Sequence, residues 1–215
     1  MPADPSAATV AVPVIPVPEV RDFVRINAEI VALLNAGHRR VRLEGAENQR
    51  LLAAGLVGPW DAEVEVVGPT GPEFGANLDA PGLRLIARGP TRDGAGRGLK
   101  AGTITILGDA GDGLGAAMRG GTLVATGDAG HRVGLNQAGG TLAVLGGAGR
   151  LAGDRQAGGW LFLGRGEAGP FAGRGQLGGR RLAWGDPIDP DGRDAWARVV
   201  AAVAAGDDRV AVVRP

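Results

Sequence analysis

From Gly108 the chain reads Gly-Asp-Ala-Gly-Asp-Gly-Leu-Gly-Ala-Ala-Met-Arg-Gly-Gly-Thr-Leu-Val-Ala-Thr, and from Gly127 it reads Gly-Asp-Ala-Gly-His-Arg-Val-Gly-Leu-Asn-Gln-Ala-Gly-Gly-Thr-Leu-Ala-Val-Leu. A third unit starts at Gly146. The intervals Gly108 to Gly127, Gly127 to Gly146 and Gly146 to Gly164 are 19, 19 and 18 residues. Within each unit glycine stands at fixed places: Gly108, Gly111 and Gly115, then Gly127, Gly130 and Gly134, then Gly146, Gly149 and Gly153. A glycine pair, a Thr or Trp and an alternating apolar run follow. We read these glycines as turn residues. A period near 20 with one strand per unit marks a solenoid, in which each coil buries its apolar side only against its neighbours.

Working outward, the same beat predicts strands near 63–67, 83–88, 103–107, 122–126, 141–145, 160–163 and 181–184. Only 14 to 17 residues of glycine-rich turn separate them, with no helical pattern between, which does not suit βαβ units. Equal register from unit to unit argues against hairpins. It sets each strand beside its equivalent and stacks the turn glycines. The expected fold is therefore an all-β, single-stranded parallel β-helix with coils of about 19–21 residues and flanking α-helices.

Strand alternation divides the side chains. Ile104 and Ile106, Leu123 and Ala125, Leu142 and Val144, Leu161 and Leu163 form an aliphatic column for the bore. The outer column reads Thr103 and Thr105, Thr122 and Val124, Thr141 and Ala143, then Trp160 and Phe162. Trp160 and Phe162 thus point outward, and large apolar groups there call for a cover. Either the C-terminal helix or a partner subunit fits.

The chain has 215 residues, enough for a single domain. Residues 1–18 carry five prolines among small residues and read as a disordered or extended arm with nothing to pack. The domain proper is 19–215. Val20, Phe23, Val24, Asn27, Ile30, Val31 and Leu34 recur at helical spacing, so a helix is expected over 20–36, with Gly37 at its C-terminal end. A short strand at Val41–Leu43 follows. Ala46–Leu56 reads as a half-helix ending at Gly55. A second helix over 191–205, with Trp196, Val199, Val200 and Val203 on one face, closes the array. Helices at both ends would cover unpaired strand edges.

Composition limits the chemistry. There is no Cys and no Tyr, and there are only two His (His38 and His131). Ser6 is the single serine. A Cys-ligated iron–sulfur cluster, a structural zinc and Ser-His-Asp or Cys-His nucleophiles are excluded for this chain acting alone. No catalytic, cofactor-binding or metal-binding residue is expected. Lys plus Arg equals Asp plus Glu at 23 each, so no net field favours nucleic acid or an anionic membrane. No apolar run reaches the roughly 18 residues of a membrane span, and the start lacks a signal-peptide pattern. A cytoplasmic location is expected.

Gly164-Arg-Gly166-Glu-Ala-Gly169 matches a dinucleotide fingerprint formally. Pro170 and more glycine follow where a helix should start, so the match is set aside. Asp186-Pro-Ile-Asp189-Pro-Asp191 lacks the ligand set of a calcium loop and reads as a turn capping the last helix. Asp112, His131 and Arg150 share one repeat position and should stack about 5 Å apart. Such a trio could bind an anion or guide ammonia, although a solvated column free of like-charge neighbours is the simpler reading. Asp109 and Asp128 also stack, which is tolerable only if each carboxylate accepts turn N–H groups. His38 reads as a helix C-terminal cation.

The glycine beat from Gly108, Gly127 and Gly146, with Gln49-Arg50-Leu51 and the Asp-Ala-Gly turns, resembles the GXGXG domain family over roughly Asp22 to Gly185. That family includes the C-terminal domain of the glutamate synthase large subunit, its separately encoded counterparts, and one of the subunits of formylmethanofuran dehydrogenases. The resemblance implies a right-handed β-helix acting as a non-catalytic structural subunit. Its partners would be a glutaminase (class II amidotransferase) subunit and an FMN-dependent synthase subunit, which would carry the FMN and the iron–sulfur cluster. A formylmethanofuran dehydrogenase-type subunit is the rival within the family. A stand-alone binding solenoid using outward threonines is the rival outside it. Only Thr103-Ile-Thr105 has the required Thr-x-Thr pair.

Overall fold

The computed structural model describes residues 11–17, 22–164, 168–183 and 185–207. Nine strands lie in sequence order in one sheet: β1 (Val14–Pro16), β2 (Arg40–Glu44), β3 (Ala62–Val67), β4 (Asp79–Arg88), β5 (Ala101–Ile106), β6 (Thr122–Ala125), β7 (Ala138–Val144), β8 (Gly158–Leu163) and β9 (Arg180–Leu182). Every neighbouring pair is parallel. The chain is a parallel β-solenoid of about seven turns with two helices, α1 (Phe23–Asn35) and α2 (Pro190–Gly206).

The repeat register is met residue for residue in the central coils, where Thr103, Thr122, Thr141 and Trp160 are successive partners. A second column of single parallel bridges joins Thr70, Thr91, Ala110, Ala129, Ala148 and Ala168, one per coil. The expected bore column from Ile104 to Leu163 is buried throughout. Val64, Val66, Leu85 and Ala87 extend it toward the N-terminus, and Leu114, Val133 and Ala152 close the bore from the side opposite the strand.

The glycines of the beat serve two purposes. Gly115 has φ +63°, and a methyl there would lie 2.8 Å from Leu142 Cδ2 in the bore; Gly134 and Gly153 repeat this left-handed corner. Gly130 has ordinary φ, but a methyl on it would overlap Asp112 Oδ1 of the preceding coil. Gly111, Gly127, Gly146 and Gly149 make the same close approach to the side chain stacked beside them.

Several expectations need correction. Ala46–Leu56 is a coil turn, not a half-helix. Asn48, Leu51 and Ala53 take positive φ there, and Leu51 and Gly55 donate to Pro72 and Ala76 of the next coil. The Pro-rich arm does pack: β1 pairs with β2, and Ile15 and Val17 are buried. In α1 the buried face is Ile26, Ile30 and Leu34, whereas Val24 is 63% exposed. Asp22 caps its start by accepting from Val24 and Arg25. Gly37 (φ +89°) ends it, as Gly37 N–H bonds Leu34 and His38 N–H bonds Leu33. Residues 1–10 of the arm with Ser6, Val20 of the expected helix, Gly166 of the glycine pattern and position 184 of the last expected strand lie outside the described residues.

The largest departure concerns α2. It does not cap the solenoid's end but lies across the outer face of β5, β6 and β7. Ala195, Trp196, Val199, Ala202 and Val203 pack on Val124, Ala143 and Phe162. Val200, expected on that face, is exposed. Asp189 caps α2 by accepting Gly192 N–H at 2.8 Å, and Asp186 accepts Ala183 N–H at 2.7 Å, so the acidic segment is the helix-capping turn it was expected to be.

Candidate functional site

Three places could carry function: the aromatic outer face, the polar columns at the corners, and the ends of the solenoid. On the outer face, Phe162 is 1% exposed and meets Trp196 edge-on with centroids 5.1 Å apart. Trp160 stacks on Phe162 at 5.8 Å, and its other neighbours are the Arg180 guanidinium and Gly192. The cover is the chain's own helix. Trp160 and Phe162 therefore do not form a bare partner interface.

The same helix closes the threonine face. Thr105, Thr122 and Thr141 are buried; Thr105 Oγ1 donates to Ala202 O at 3.0 Å, and Arg198 donates to Thr141 Oγ1 at 3.3 Å. Beyond the reach of α2, charge replaces apolar cover. Glu63 lies between Arg40 (3.3 Å) and Arg84 (3.8 Å), and Glu65 between Arg42 (3.3 Å) and Arg88. Alternating sign from coil to coil makes each contact attractive. The sequence held this signal in its Arg-x-Arg and Glu-x-Glu strands, but only the register reveals it.

The polar column at the first corner is real, and its chemistry is turned inward. Asp93 Oδ1 accepts Asp112 N–H (2.9 Å), Asp112 Oδ1 accepts His131 N–H (2.7 Å), and His131 Nδ1 accepts Arg150 N–H (3.0 Å). A parallel ladder runs from Asp109 to Asp128 N–H and from Asp128 to Gly147 N–H, each at 2.8 Å. The carboxylates stack because each is held by a turn amide. A shallow groove beside this column is lined by Glu73, Asp93, Arg97, Asp112, Arg132 and Asn136. Among the described residues no three His, Cys, Asp or Glu side chains gather where they could hold a metal ion.

A third column was missed in the sequence. The bore corner occupied by Leu78, Leu99 and Met118 becomes Gln137, Gln156 and Gln176 in the last coils. Gln137 Nε2 donates to Gly139 O and Gly140 O of its own coil and to Trp160 O of the next. Gln156 repeats this with Gly158, Gly159 and Arg180. The bore thus turns polar toward its C-terminal end. Around Gly164 and Gly169, the formal nucleotide fingerprint has β8 before it but turns, not a helix, after it.

No helix among the described residues is long and apolar enough to cross a membrane. No protein-family model matches this sequence, and no curated protein is similar to it at a significant level.

Proposed function

We propose that this chain is a non-catalytic structural subunit of a multi-subunit glutamine-dependent glutamate synthase or a related amidotransferase, bridging a glutaminase component and an FMN-dependent synthase component. The observation that carries this reading is how the polar side chains are used. Asp93, Asp109, Asp112, Asp128 and His131, the stacked acid–base candidates at the corners, each accept a backbone N–H from the next coil. They hold the solenoid's shape, and a rigid rod of fixed length suits holding other domains apart. The likeness of the glycine beat to the GXGXG family supplies the enzyme class.

The stand-alone binding solenoid loses its support, because the threonine face lies under α2. The test is reconstitution. A class II glutaminase and an FMN-binding synthase encoded beside this chain should bind it, and glutamine-dependent glutamate formation should need it while ammonia-dependent formation does not. Recovery of a molybdopterin or tungstopterin protein instead would move the chain to the formylmethanofuran dehydrogenase type.

A further inference from the structure

The two ends of the solenoid are finished differently. At the N-terminal end α1 lies over the first coil: Asn27 bonds Leu51 O, Ala54 O and Ala53 N, and the edge strand β1 follows Pro13 and ends in Pro16. Proline blunts an edge. At the C-terminal end β9 is the last strand in the sheet, and no described residue pairs with its outer edge.

Three features meet at that open end. Phe171 and Leu177, on the turns of the last coil, are 64% and 82% exposed. Arg181 occupies the bore register, opposite Leu161, so a cation stands where every earlier coil has an aliphatic group. Its Nε is buried without a partner, and among the described residues it has no ion pair. A buried cationic N–H left without a partner is costly, so Arg181 points to a missing acceptor.

Charge indicates what kind of group. Residues 168–183 contain Arg174, Arg180 and Arg181 and no acidic residue. Asp154 answers Arg174 and Asp189 answers Arg180, which leaves Arg181 unanswered. A second copy joined end to end would bring Arg181 against Arg181. That is a like-charge encounter. Head-to-tail joining would set β9 against β1, an edge blunted by Pro13 and Pro16. We propose that the C-terminal mouth is the docking surface for an acidic, extended segment of a different protein, which adds a strand to β9, places a carboxylate against Arg181 and covers Phe171 and Leu177. The proposal takes from the subunit reading only that a partner chain exists.

The test uses the full chain and a labelled, end-blocked peptide with the Asp61–Val67 sequence, Asp-Ala-Glu-Val-Glu-Val-Val, beside its Asn/Gln counterpart. Fluorescence anisotropy should show the acidic peptide binding at least about ten-fold tighter than the amide one. Hydrogen exchange at 180–182 should slow on binding. Arg181→Gln should erase the preference for acid. Leu177→Asp, at an exposed site where folding is not in question, should weaken binding about ten-fold, while Val57→Ser on the first coil leaves it unchanged. Equal binding of both peptides, no binding, or an Arg181→Gln protein that still prefers acid would overturn the proposal. So would a concentration-dependent dimer abolished by Leu177→Asp, which would make the occupant a second copy. Because no glutaminase or synthase is present, failure here leaves the subunit reading standing, and failed reconstitution leaves this one standing.

Discussion

His131 Nδ1 accepts the backbone N–H of Arg150 at 3.0 Å, in the place where Asp112 Oδ1 accepts the N–H of His131 at 2.7 Å. An imidazole thus substitutes for a carboxylate in a ladder whose other rungs are aspartates. The substitution shows what the position requires, which is an acceptor reaching one coil forward and not a particular charge. His131→Asp should therefore keep its urea midpoint close to that of the parent. His131→Leu should lose about 0.5–1.5 kcal/mol, one net hydrogen bond. Equal stability of the Leu variant would mean that the rung contributes nothing.

Two glycines separate steric need from backbone need. A methyl on Gly130 would overlap Asp112 Oδ1 and lie 2.9 Å from Asp112 N, whereas Gly37 (φ +89°) has nothing within 4 Å of where its methyl would be. Gly37→Ala should cost about 1 kcal/mol from conformation alone. Gly130→Ala has to push two coils apart and should cost more, about 1–3 kcal/mol. Thermal unfolding of the two variants ranks them, and the reverse order would disprove the packing role.

The docking of α2 rests on Phe162 and Trp196. Replacing Trp160 and Phe162 together with Thr continues the column of Thr122 and Thr141 at one place and puts a β-branched residue in the column of Thr105 and Val124 at the other, and should leave the coils folded. It should release the helix at a cost of about 3–5 kcal/mol, as for truncation of a buried aromatic. Hydrogen exchange should quicken over 190–206 before it changes over 103–125. Unchanged protection in the helix would show that its other contacts suffice.

Asn27 fastens α1 to the first coil, donating to Leu51 O (2.9 Å) and Ala54 O (3.3 Å) and accepting from Ala53 N (2.9 Å). Asn27→Leu keeps the volume and removes all three bonds. We expect a loss of about 1–3 kcal/mol, with exchange quickening first at residues 51–55. A variant with parental stability would leave the helix held by Ile26, Ile30 and Leu34 alone.

The coils were legible because a repeat writes the same physical demand many times, and the demands at Gly115, Gly134 and Gly153 are met by glycine each time. The first coil was not legible, since Asn48, Leu51 and Ala53 take positive φ without glycine and leave only a helix-like spacing of apolar residues. The outward direction of Trp160 and Phe162 followed from alternation, and so did the C-terminal helix as one of their two expected covers; that α2 thereby lies across β5 to β7 and leaves the last strand edge open did not. An amphipathic helix states which face it buries and not against what. Val24 and Val200 show the same limit, as each sits beside a buried face and points away from it. The glutamine column was missed because a polar residue at one repeat position gives no sign of burial until the register places Gln137 and Gln156 in line with Leu99 and Met118.

The central claim is that this solenoid holds other proteins together. The most direct measurement is the native mass of the assembly obtained when the chain is co-expressed with a class II glutaminase and an FMN-dependent synthase from the same genome. One complex containing all three is predicted, separating into free glutaminase and free synthase when this chain is left out. A glutaminase–synthase complex of full activity that forms without it, with this chain running alone, would contradict the claim.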